Sequence, residues 1–191
     1  MGIGGQQVTI VVDVANVMGS RPDGWWRDRA GAAVRLHAQI VALASSGRAT
    51  LPDGRGAAEA PGPADEAGPA GQASPAFVMV LEGAAKAAAA RLASADAATV
   101  GTPGTGTPGT GTPGTGTPGT GTPGAVPGPP RPGEVRVVQA PGSGDDAIVA
   151  VVRELPGRRV VVTADRGLRD RCVAAGAEIL GPSWLLGLLR G

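Results

Sequence analysis

Four apolar, largely β-branched runs in this chain each lead to a carboxylate, and that repetition narrows the folds open to it. Val8 to Val12 runs into Asp13, with Asn16 three positions on, and Ala76 to Leu81 is followed by Glu82. Val135 to Gln139 leads through Ala-Pro-Gly-Ser-Gly to Asp145 and Asp146, and Arg159 to Thr163 leads to Asp165. Continuous apolar runs, in place of strict alternation, are what strands covered on both faces require. Strands of that kind belong to parallel sheets, whose carboxyl ends share one edge, and ligands bind at that edge.

Between the runs the helical period takes over. From Asp28 to Ser46, Ala33, Leu36 or His37, Ile40, Val41 and Ala44 recur at helical spacing, with Asp28 at the positive end. Met18 to Arg29 reads as a loop, and an Ala-rich helix runs from Glu82 to about Ala98. Another runs from the paired aspartates to Leu155 and is stopped by Pro156. Leu168, Cys172 and Ala175 share a face that Gly176 closes. A short strand, Ala177 to Leu180, and a small terminal helix complete a βαβαβαβαβα pattern. The expectation is an α/β, Rossmann-like three-layer sandwich around a parallel sheet of about five strands.

Two stretches interrupt this pattern. Residues 49–75 turn to Pro, Gly, Ala and acids without periodicity, and residues 99–133 contain four Thr-Pro-Gly-Thr-Gly units from Thr102 to Gly121. A period of five fits neither collagen nor a solenoid, and a tract without apolar side chains cannot offset the entropy of ordering. Both read as flexible inserts in one domain spanning 1–191, placed in helix-to-strand connections, where length is inexpensive. Those connections lie at the edge opposite the acids.

The chain's 2% aromatic content, with no Tyr, leaves the core to Val, Leu, Ile and Ala, and its single cysteine, Cys172, excludes an internal disulfide. Residues 1–7 lack the basic and apolar regions of a secretory leader, and no run is long enough to span a membrane. The expected protein is soluble and cytoplasmic, with no membrane partner. Net charge is +1, but outside residues 49–75 there are 16 basic and 12 acidic residues, a net +4 that suits an anionic polymer.

Carboxylates gathered on one edge repel one another unless a cation sits among them, and with no Cys/His cluster a hard ion, Mg2+ or Mn2+, is the natural choice. Asp13, Asp145, Asp146 and Asp165 are the candidate metal ligands. Arg21, Arg27, Arg29, Arg166, Arg169 and Arg171 follow the first and fourth strands, near enough to clamp phosphate. Phosphoester or phosphoanhydride hydrolysis follows from that pairing. Each residue also has a plainer reading: Ser143 with Asp146 forms a capping box, Asp165 caps a helix, and Trp25 and Trp26 form a lid on the first helix.

Asp13-Val14-Ala15-Asn16, Gly144-Asp145-Asp146 and Thr163-Ala164-Asp165-Arg166 resemble the signature of the NYN branch of the PIN-like nucleases. Ser20 to Trp26 resembles a bacterial subgroup of it, although Val14 stands where the family commonly has Gly. The resemblance implies a PIN-like sheet and metal-dependent cleavage of RNA, single-stranded RNA being the expected partner. It carries over Asp13, Asp145 or Asp146, and Asp165 as metal ligands, and Asn16 as a polar residue ordering the first acid or touching substrate. Taken with the residue chemistry above, Asp13, Asn16, Asp145 and Asp165 are the expected catalytic residues, and Asn16, Arg21, Arg166 and Trp25 the expected substrate contacts. Two other functions remain open: a nucleoside triphosphate pyrophosphohydrolase using the same site, and a non-catalytic RNA-binding domain.

Overall fold

A computed structural model describes residues 7–52, 74–92 and 129–190, so most of both inserts lies outside the described residues. Five strands form one sheet: β1 (Val8–Asp13), β2 (Ala76–Leu81), β3 (Val135–Gln139), β4 (Arg158–Val162) and β5 (Glu178–Leu180). Their order is β3-β2-β1-β4-β5, with every neighbouring pair parallel. The helices are α1 (Val14–Gly19), α2 (Arg29–Ser46), α3 (described over residues 87–92), α4 (Gly144–Glu154), α5 (Arg166–Ala174) and α6 (Pro182–Leu188).

The pleat of the strands divides the apolar runs between two cores. Ile10, Val12, Phe77, Met79, Val160 and Val162 face α1, α2, α3 and α6, while Val11, Val78, Val80 and Val161 face α4 and α5. This is the expected three-layer α/β sandwich. From β1 the chain winds outward through β2 to β3, then returns past β1 to build β4 and β5. The winding direction therefore reverses between β1 and β4, and a crevice opens at their carboxyl ends where such folds bind ligands.

Three local expectations need correction. Met18 to Arg29 is not loop throughout: the chain enters α1 straight from Asp13, whose side chain accepts a hydrogen bond from the Asn16 N–H as N-cap. Val14, Val17 and Met18 are buried on that turn, so an apolar sequence that looked like strand and loop is a short packed helix. In α2 the buried stripe includes Leu43 in place of Val41, which is 39% exposed, because the face drifts round the helix over its 18 residues. Ala49 is buried and Leu51 packs against the first core, so the first insert begins later than composition indicates.

Candidate active site at the carboxyl edge of the sheet

The crevice between β1 and β4 is a cavity of about 450 Å³ lined by Asp13, Asn16, Glu82, Asp145 and Asp165, with Ser20 and Gly144 on its walls. Four carboxylates, from the ends of β1, β2 and β4 and from the first turn of α4, thus share one hollow. Asp146 is absent from this lining, and Glu82 stands in the group with the three aspartates.

Three of the four acids are held by specific hydrogen-bond donors. Asp13, only 7% exposed, accepts from the Asn16 N–H at 3.1 Å and from the Thr163 hydroxyl at 2.9 Å. Thr163 Oγ1 in turn accepts from the Asp165 N–H, which ties the end of β4 to the first acid. Asp165 N-caps α5, its Oδ1 accepting from the Leu168 N–H at 2.7 Å. Glu82 reaches across 62 residues to accept from the Gly144 N–H at 2.9 Å, the first amide of α4. Ser143 makes no side-chain cap bond, so the expected capping box is not formed and a residue from another strand caps α4 in its place.

Asn16 is fixed just as firmly. Its Oδ1 accepts from the Ala164 N–H at 3.1 Å, and a backbone donor there orients the amide, turning its NH2 away from that contact. One asparagine therefore bridges α1 and the loop after β4, across the switch point.

The negative field is visible in proton affinities. Burial pushes the Asp13 carboxyl up, opposed by the Asn16 and Thr163 hydrogen bonds and reinforced by Glu82 and Asp145. Asp145 is also pushed up, first by burial and then by Asp165, with Arg171 opposing. Arg171, from α5, pairs with Asp146 and stands 4.0 Å from Asp145. Of the arginines expected near this edge, it is the one that meets the acids, although the sequence singles out Arg21 and Arg166 as substrate contacts. Arg166 is exposed at the start of α5, outside the cavity lining. Arg21 turns to Gln39 on α2 and lines a separate pocket.

Trp25 is half-buried against the first core, with Arg29 over its ring at 5.4 Å and the Trp26 ring edge-on at 6.3 Å. Trp26 is the exposed member of the pair, at 57%. Cys172 is fully buried, and burial raises its thiol to about 11, as expected of a core residue.

In donor type the lining suits a hard divalent cation, since every polar side chain offers oxygen and neighbouring acids raise the proton affinities of Asp13 and Asp145. In spacing it is not drawn together: among the described residues no three His, Cys, Asp or Glu side chains are grouped to hold a metal ion. The physical reason is the hydrogen bonding above, which points one oxygen of Glu82 and of Asp165, and both of Asp13, at other donors.

Among the described residues no helix is long and apolar enough to cross a membrane. No protein-family model matches the chain, and no curated protein does. Among solved structures the chain is similar to Rae1 (YacP) from Bacillus subtilis, crystallised as a tryptophan-to-leucine mutant. Identity is 10% and the TM-score 0.46, over 96% of this chain and 74% of that one. A likeness of that strength carries no inference about chemistry.

Proposed function

We propose that this protein is a ribonuclease that hydrolyses phosphodiester bonds of single-stranded RNA with the help of Mg2+ or Mn2+. One observation carries the reading: four carboxylates and a fixed asparagine share one cavity at the sheet's switch point. Asp13, Asp145 and Asp165 are the proposed ligands, with Glu82 beside them. Asp146, whose side chain is 71% exposed and paired with Arg171, has an outer role. The cation, when bound, supplies an activated water and offsets charge on the phosphoryl group. RNA as the substrate class rests on the NYN-like motifs and on the net +4 outside the first insert.

The chain's own groups divide the remaining work. Asn16 lines the cavity and, with its carbonyl held by Ala164, offers its NH2 to a non-bridging phosphate oxygen. Asp145, with a side chain still 46% exposed, would present its carboxylate to the cation at the open side of the cavity. Thr163 holds Asp13 in place and does not touch substrate.

The deciding experiment incubates the protein with labelled single-stranded RNA and, separately, with each nucleoside triphosphate, in Mn2+ and in EDTA. The expected result is EDTA-sensitive RNA cleavage, reduced at least about a hundredfold in Asp13→Asn. Pyrophosphate release from a triphosphate with intact RNA would move the chemistry to a pyrophosphohydrolase, and RNA retention without turnover would leave a binding domain.

A further inference from the structure

Beside the acidic cavity lies a second hollow of opposite character. It measures about 270 Å³ and is lined by Arg21, Asp23, Gln39 and Arg190, with Pro22, Leu186 and Leu189 as its apolar wall. The two hollows are joined through the backbone: Ser20 lines the acidic one and Arg21 the basic one, and consecutive Cα atoms are about 3.8 Å apart.

Arg21 is oriented without being neutralised. Its guanidinium donates to Gln39 Oε1 at 2.9 Å, an uncharged acceptor on α2, and four of its five N–H donors have other uses open to them. Asp23, in the same lining, makes no ion pair with Arg21, and its Oδ1 accepts from the Trp25 N–H at 3.2 Å. Neither Arg21 nor Arg190 has an ion-pair partner among the described residues. Burial is the largest influence against the charge on Arg21; among its charged neighbours Asp23 favours that charge most, and Arg190 and Arg35 oppose it. Two arginines against the one carboxylate of Asp23 leave the pocket net positive, a place where an anion lowers the energy of the site. The leucine and proline wall beside them offers an apolar surface that suits the flat face of a base.

We propose that this pocket binds a phosphodiester group of the RNA strand next to the one held in the acidic cavity, with Arg21 and Arg190 as its clamp. The inference rests on RNA being the substrate, and it gives the strand a path from the acids, over Ser20, to the pocket between α2 and α6. The same chemistry admits a free phosphate or a mononucleotide, and the test separates these sources.

The test measures binding of a labelled single-stranded RNA by fluorescence anisotropy in EDTA, over a range of salt concentrations. It compares the wild-type chain, the double variant Arg21→Gln/Arg190→Gln, and Arg153→Gln on α4, an exposed arginine outside both hollows. The double variant is expected to bind about tenfold more weakly, with a salt slope lower by about 0.7 for the one phosphate lost. Arg153→Gln is expected to match wild type. Circular dichroism of each variant shows whether the fold is kept, and Arg190→Gln alone, at an exposed chain-end position, provides a second reading with the same expected direction. Unchanged affinity in the double variant overturns the proposal, as does an equal loss in Arg153→Gln. Displacement of RNA by inorganic phosphate or a mononucleotide at equal concentration also overturns it, in favour of a small-anion site. If wild type fails to bind RNA in EDTA yet cleaves it in Mn2+, the subsite falls and the nuclease reading stands. If it neither binds nor cleaves, both fall.

Discussion

Asp13 shows how the site sets stability against use. Its folded-state proton affinity is raised mainly by burial, so the folded chain holds that proton more tightly than the unfolded chain does. Stability from this group therefore increases as pH falls through the raised value, and the ionised form is a cost at neutral pH. Asp13→Asn removes the charge while keeping both contacts, because the Thr163 hydroxyl has a lone pair to accept from the new amide. The expected variant is inactive yet melts at a higher temperature than wild type in EDTA, and calorimetry at neutral pH checks the sign. The tryptophans separate in a similar way. Trp26→Ala is expected to cost RNA affinity on the scale of one stacked base, about 1–3 kcal/mol, and little stability. Trp25→Ala, which strips a side chain from the first core, is expected to lower the melting temperature instead. The sequence names Trp25 as the substrate contact, since two adjacent identical residues look alike until packing shows which ring is covered.

At the scale of elements, what was legible is what local pattern controls. The continuous runs identify β1, β2 and β4, and their order along the chain implies parallel pairing, so Asp13, Glu82 and Asp165 could be assigned to one edge before any coordinates. Contacts across the sheet were not legible. Nothing near Ser143 signals that Glu82, 62 residues earlier, caps α4, and nothing near Asp146 signals that Arg171 takes it. That cap gives a double-mutant test. A Cβ at Gly144 would stand 2.2 Å from Glu82 Oε2, so Gly144→Ala displaces the capping carboxylate. The expected loss is about 1 kcal/mol, the usual value of a helix N-cap. Glu82→Ala should cost about as much alone, and Gly144→Ala should add little once Glu82 is gone, because both remove one interaction. Additive losses in urea melts would mean that the Gly144–Glu82 bond contributes nothing.

For the whole molecule, the sheet separates where the chain tolerates length from where it does chemistry. The chain leaves the described core at Pro52 and re-enters it at Ser74, whose hydroxyl lies 3.8 Å from the position of a Cβ at Gly47, the C-cap of α2. Gly133, entering β3, donates to the carbonyl of Ser74 at 3.2 Å, and Arg158, entering β4, donates to Gln7 at 3.1 Å. All these residues mark the amino edge, with the length of the strands between them and Asp13. Because Gly47 lies beside Ser74 and only five positions before Pro52, about five Gly and Ser residues, which reach up to roughly 17 Å, are expected to replace residues 53–73. Shortening the loop about fourfold should stabilise the fold by roughly 1 kcal/mol, at ~0.6 kcal/mol for each halving. RNA cleavage in Mn2+ should stay within about twofold of wild type, because the chain leaves for and returns from this stretch at the amino edge of the sheet, opposite the acids at the carboxyl ends of the strands. A large loss of cleavage with an unchanged melting temperature would place residues 53–73 in substrate handling and break the separation of the two edges.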